Sequence, residues 1–181
     1  MQLDELLIEN KGEILNGWVD QVLASYPEDA ARIFKKGTDR FANPIGSAVK
    51  KSLWEIYVLL FEKDEPEQII SPLEQLVQLR AVQTFSPSEA VGMAYVLKYV
   101  VKDECRKEKV DDQEGWFSFD QKVDTLAYTL FDMFMQCRER LYQVRLAEFK
   151  SGNNIATDGG CPSKAMDGNN AEKAELKTLN S

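Results

Sequence analysis

Apolar residues recur along this chain at spacings of three and four, and no segment alternates convincingly at period two. The first pattern makes a helix face and the second a strand face, so the expected fold class is all-α, with about six or seven helices. Leu3, Leu6, Leu7, Leu15, Trp18, Val19, Val22 and Leu23 read as one long first helix, softened at Gly12 and Gly17. Pro27 with Glu28 and Asp29 starts a second, which carries Ala30, Ile33 and Phe34 and ends on Lys35, Lys36 and Gly37. Residues 39–46 form a loop in which Asn43 caps and Pro44 takes the first helical position. The helix that follows runs from about 45 to 63, with Val49, Leu53, Ile56, Tyr57 and Leu60 inward.

Two start signals then repeat. Ser71-Pro72 with Glu74, and Ser86-Pro87-Ser88-Glu89, each place a cap, a proline and a returning carboxylate, the pattern of a capping box. The first predicts a helix holding Leu73, Leu76, Val77, Leu79, Arg80 and Val82. The second predicts a helix with Phe85 and Ala90 at the staple positions, continuing through Val91, Tyr95, Val96, Tyr99 and Val100 to about 109. Residues 111–118 read as a turn around Gly115, pinned by Trp116 and Phe117, before a final helix over about 119–150. From 151 onward the chain is small, polar and glycine-rich and has too little apolar surface to offset the entropy of ordering. The expected organisation is a helical domain over 1–150 and a flexible polar tail over 151–181.

The chain contains no histidine. That removes imidazole base catalysis, Ser-His-Asp and Cys-His arrangements, His-ligated zinc and His-ligated haem. Cys105, Cys137 and Cys161 are odd in number and form no CxxC pair, so a reduced compartment is expected rather than a disulfide framework. A net charge of -8 argues against non-specific nucleic-acid binding, which relies on neutralising phosphate. No run approaches the roughly 20 apolar residues of a membrane helix, and the first ten residues lack the build of an export signal. The expectation is a cytoplasmic protein with no nucleic-acid partner and no membrane insertion. No glycine-rich phosphate loop occurs, Asp111, Asp112 and Glu114 do not match a calcium loop, and no carboxylate pair is marked as acid and base. Catalytic, cofactor-binding and metal-binding residues are all expected to be absent.

Interaction signals are better represented. In the last helix one stripe is Val123, Ala127, Leu130, Phe134, Cys137, Leu141 and Val144; a second is Tyr128, Phe131, Met135, Tyr142, Leu146 and Phe149. One stripe suffices for a core helix, so two imply either a helix buried all round or a homodimer contact, with Tyr128, Tyr142, Leu146 and Phe149 as interface candidates. Arg80, flanked by Leu79 and Ala81 with Gln83 three residues on, reads as a ligand for a carboxylate, a structural ion pair or a snorkelling side chain. Phe131, Met133, Phe134 and Met135 are adaptable packing that suits core or pocket wall. Arg80, Tyr95 and Phe134 are the candidate pocket residues. The competing reading is a ligand-carrying or redox-associated accessory protein using Cys105, Cys137 or the Phe-Met patch.

Three segments together resemble a known family: Trp18-Val19-Asp20-Gln21-Val22-Leu23 with Tyr26-Pro27; residues 40–46, Arg-Phe-Ala-Asn-Pro-Ile-Gly; and residues 72–83 running into Phe85-Ser86-Pro87-Ser88-Glu89-Ala90-Val91. The chain resembles the N-terminal domain of RsbR and RsbRD stress-response regulators, co-antagonists of the RsbT kinase, over about residues 3–150. The resemblance implies a globin-like helical fold without haem, a homodimer, a sensory role and a regulatory protein partner. Regulators of that kind carry a STAS domain after the sensory domain; residues 151–181 are too short for one. The chain is therefore expected to be a stand-alone sensory domain, a form expected among anaerobic bacteria, including sulfate reducers.

Overall fold

Seven α-helices and no strand make up the described residues, which in the computed structural model are 1–36, 43–83 and 85–151. They are α1 (Leu3–Glu9), α2 (Lys11–Ala24), α3 (Glu28–Lys36), α4 (Pro44–Tyr57), α5 (Ile70–Ala81), α6 (Pro87–Glu108) and α7 (Gln113–Lys150). The all-α class holds, and the arrangement is that of a globin-like bundle. Met1–Leu141 belong to one unit, and the described part of a second is Tyr142–Ser151. The expected tail lies, beyond Ser151, outside the described residues.

The first helix is two. The chain bends at Asn10, whose ψ of 18° leaves the helical well, while hydrogen bonds from Asn10 N to Leu6 O and from Ile14 N to Asn10 O keep the turns in register. Neither glycine causes the break. A Cβ on Gly17 would lie 3.0 Å from a Val100 methyl, so this glycine lets α2 press closely against α6. Beside it Trp18 is fully buried, and its indole N–H donates to the Met93 carbonyl at 2.7 Å. The inward face of α6 is Ala90, Met93, Ala94, Leu97 and Val101.

Helix starts divide into those set locally and those set by contact. Asn43 and Pro44 open α4 as expected, with Asn43 Oδ1 accepting from Gly46 N at 2.9 Å. The Ser86 capping box is complete: Ser86 Oγ accepts from Glu89 N, and Glu89 Oε2 accepts from Ser86 N at 2.8 Å. Ser71 does not cap. A 3-10 turn over Pro66–Ile69 leads directly into α5 at Ile70, with Ile69 buried as its anchor, so the helix begins before Ser71 is reached. The expected turn around Gly115 is helix as well. Asp112 Oδ1 accepts from Gly115 N at 2.9 Å and its other oxygen from Leu3 N at 3.0 Å, so one carboxylate opens α7 at Gln113 and fastens the N-terminus to it. Those two amides hold the Asp112 carboxyl below the usual range. Phe117 points to solvent, as do Ile33 and Val82, which the periodicity alone had put on packed helices.

Beyond α4 the helix widens into a π-helical turn over Val58–Glu62, closed by Lys63 N donating to Val58 O. Lys122 of α7 donates to Leu60 O at 3.0 Å and pairs with Asp64 at 2.8 Å. Within the turn Phe61 sits between the rings of Tyr57 and Phe119, at 4.9 and 5.4 Å. Tyr57 is fully buried and its hydroxyl donates to Leu7 O at 2.8 Å.

Burial, with Glu62 nearby, pushes the Tyr57 hydroxyl above its ordinary 10.0. A phenol raised in the folded state contributes stability that is complete below about pH 10 and fades as pH rises from there. Urea unfolding across pH 8 to 11 is expected to show an alkaline decline beginning near pH 10. Tyr57→Phe should cost about 1 kcal/mol at pH 8 through the lost hydrogen bond, and should flatten the decline. A decline as steep in the variant as in the parent would assign it to other groups.

Candidate functional site

The turn between α2 and α3 and the turn between α5 and α6 meet around one buried cation. Arg80 lies in the last turn of α5 and is only 1% exposed. Its Nη2 donates to Ser25 Oγ at 3.0 Å and Val22 O at 3.4 Å, and its Nη1 to Glu89 O at 3.2 Å. The guanidinium carbon lies 4.5 Å from the Phe85 ring centroid and 5.4 Å from that of Tyr26. Arg80 is thus neither snorkelling nor, among the described residues, in a salt bridge. Burial lowers its pKa, against the opposing influence of Tyr26 and Glu89. An arginine nonetheless stays charged, so the fold holds a full positive charge beneath its surface.

Residues around Arg80 also line a cleft of about 600 Å³: Ser25, Tyr26, Pro27, Ala30, Phe34, Gln83, Phe85 and Glu89. The Tyr26 ring stands edge-on to Phe34 and Phe85, with centroids 5.2 and 5.1 Å away. Three buried polar atoms at this place lack a hydrogen-bond partner among the described residues: Tyr26 Oη, Arg80 Nε and Gln83 Oε1. Buried polar groups are nearly always satisfied, because an unsatisfied one costs free energy comparable to a lost hydrogen bond. Burial raises the Tyr26 pKa, and Arg80, through its charge and its proximity to the hydroxyl, offsets part of the rise. Glu89, at the rim, is held below the usual carboxylate range by hydrogen bonds from Ser86 and, to a lesser degree, by Arg80.

Of the sequence candidates, Arg80 lies behind the wall of this cleft, against Ser25, Tyr26 and Phe85, and is not itself a lining residue. Tyr95 is 39% exposed on α6, and Phe134 is fully buried in the core and not among the cleft's lining residues. The three do not converge. The space enclosed by Trp18, Leu53, Leu73, Met93 and Leu126 has no room even for water. Tyr26, Phe34, Phe85 and Glu89 were missed because each sits at a helix end, where periodicity carries no information. The one usable signal was Gln83, three residues after Arg80.

Along α7, Val123, Ala127, Leu130 and Phe134 are buried, Cys137 and Leu141 are half-buried and Val144 is exposed. Of the second stripe Tyr128, Phe131, Met135, Tyr142 and Phe149 are exposed and Leu146 is half-buried. Lys98, between the exposed Tyr95 and Tyr99 of α6, reaches Asp120 and Asp124 of α7 at 2.7 Å each, which brings the outer faces of the two helices side by side.

Cys105 is half-buried, and burial pushes its thiol pKa up, which works against thiolate chemistry. Cys161 lies outside the described residues. No group of three acidic or cysteine side chains among the described residues is placed to hold a metal. No helix among them is long and apolar enough to cross a membrane.

A family model described as the RsbT co-antagonist protein rsbRD N-terminal domain matches residues 12–149. An uncharacterized protein of Archaeoglobus fulgidus is 22% identical over 140 residues, covering 77% of this chain and 84% of its own length. No solved structure matches the chain significantly.

Proposed function

Because the chain belongs to the family of RsbT co-antagonist rsbRD N-terminal domains, we propose that it is a non-enzymatic sensory module that acts as a homodimer on a regulatory protein partner in the cytoplasm. The family is one of regulatory signalling domains. The observation that carries the dimer is the second apolar stripe of α7, whose aromatic members remain exposed after the chain has folded. Tyr128, Phe131, Met135, Tyr142 and Phe149 recur at spacings of three, four and seven. Such a row is self-complementary about a two-fold axis, since each residue can meet its own counterpart or a neighbour on the facing copy. In this reading Tyr128, Tyr142, Leu146 and Phe149 form the contact, and Asp132, Glu139 and Arg140 supply a polar rim.

The test is mass in solution. The parent chain should sediment as a dimer at micromolar concentration. Tyr142→Glu combined with Phe149→Glu should convert it to monomer while circular dichroism keeps its helical signal. Such substitutions place two like charges per copy in an apolar contact, which costs several kcal/mol. A monomeric parent would end the dimer reading, and a double variant that stays dimeric would move the contact off the last turns of α7.

A further inference from the structure

We propose that the cleft where the end of α6 meets the start of α7 binds a nucleoside monophosphate, its phosphate held by Lys102, Arg106 and Lys109 and its flat base lying against Trp116. Such a ligand deepens the sensory reading above and rests on it for what the binding reports.

The cleft has a volume of about 510 Å³, within the range of small-molecule sites. One wall is the end of α6, where Lys102, Arg106 and Lys109 stand at spacings of four and three and so share a helix face. In a chain of net charge -8 that gathering of cations is local. Lys102 and Lys109 have no ion pair among the described residues. Arg106 meets Asp103 at 3.0 Å, a weak exposed pair within one helix turn. Two carboxylates oppose them in the lining. Asp112 is spent on the amides of Leu3 and Gly115, and Asp111 is exposed. Leu3, Val110 and Trp116 supply apolar lining. Trp116 packs 5.2 Å from the Phe119 ring but is only half-buried, which leaves part of its indole for a base to stack on.

Lys109 is the most telling residue. It ends α6 in the left-handed region at φ 57°, where glycine fits at no steric cost and a side chain is strained. The chain nonetheless holds a lysine there, and that lysine lines the cleft. Strain of this kind gathers at functional sites. A monocarboxylate would answer one of the three cations. A phosphate monoester carries about two negative charges at pH 7, and lysines meet it as point charges without a glycine-rich loop. The cleft beside Tyr26, by contrast, has Glu89 and no cation in its lining.

Calorimetric titration of the full chain with AMP, inorganic phosphate and adenosine at low ionic strength tests the site. AMP is expected to bind saturably, and phosphate and adenosine each about tenfold or more weaker, since each keeps only one of the two contacts. Lys109→Gly relieves the backbone and should raise the melting temperature by about 2 °C while weakening AMP about fivefold. A lysine kept for the fold alone would not separate the two effects in that direction. Asp111→Asn removes the exposed opposing charge and should tighten AMP about twofold. No saturable binding of AMP at millimolar concentration would overturn the proposal. So would phosphate or adenosine binding as tightly as AMP, or an AMP affinity that Lys109→Gly leaves unmoved or Asp111→Asn weakens. Sedimentation of the same samples keeps the two readings apart, since a chain that still dimerises and binds no nucleotide loses only this site.

Discussion

Trp18→Ala is expected to destabilise the protein by about 4 kcal/mol, the upper range for emptying a buried aromatic site. Its indole fills the place where α2 crosses α6, a crossing held close by Gly17 against Val100. The variant removes the ring and also the donor to the Met93 carbonyl. The neighbouring core, which has no spare room for water, has little freedom to collapse into the void. Against a total stability of about 5–15 kcal/mol for a domain, such a loss leaves the chain near or past its unfolding threshold at 37 °C. Trp18→Phe keeps most of the ring and should cost about half as much. Urea unfolding followed by circular dichroism decides. A midpoint for Trp18→Ala within experimental error of the parent would show that α2 and α6 repack freely, contrary to the geometry.

Gly46→Ala should cost about 3 kcal/mol, although alanine favours helices and the position lies in the first turn of α4. A Cβ there would stand 2.6 Å from Asn43 Oδ1 and 2.7 Å from the Phe34 carbonyl, and against Asn43 Nδ2 as well. These atoms form the cap itself: Asn43 Oδ1 accepts from Gly46 N while Asn43 Nδ2 donates to Phe34 O at 2.6 Å. The substitution therefore strains the backbone and expels the cap together, an overpacking cost of about 1–3 kcal/mol plus about 1 kcal/mol for the cap. Asn43→Ala is the control, since it loses the cap but admits no clash. Should Gly46→Ala unfold at the same urea concentration as the parent, the turn has yielded and the strain argument is wrong. The effect also reaches the cleft, because Phe34 both anchors Asn43 and lines it.

Local rules sufficed where a signal was complete within a few residues. The Ser86 box and the Asn43-Pro44 start needed only their own side chains and backbone. They failed where a preceding turn or a second role of the side chain intervened. Ser71 carries the same letters as Ser86, yet the buried Ile69 and the Pro66 turn begin α5 ahead of it. Asp112 opens α7 early by capping Gly115, and its other oxygen holds Leu3, far away in sequence. Periodicity located the packed stripe of α7 and its exposed companion, but on α6 it could not say that Tyr95 and Tyr99 face outward while the smaller Ala90 and Ala94 face in. That choice follows from the close approach of α2, which leaves no room for a ring.

The sequence by itself determined the helical class, the family and the absence of imidazole chemistry, because spacing, motif and composition are properties of the chain alone. The tertiary structure decided the meaning of Arg80. Nothing beside it in sequence distinguishes a solvated arginine, an ion pair and a buried charge. Only the meeting of two helix-end turns surrounds it with the Val22 and Glu89 carbonyls, the Ser25 hydroxyl and two aromatic rings, and leaves Tyr26 and Gln83 unpartnered at a cleft. Burial and hydrogen-bond satisfaction are set by what the fold brings together, and no local pattern encodes them.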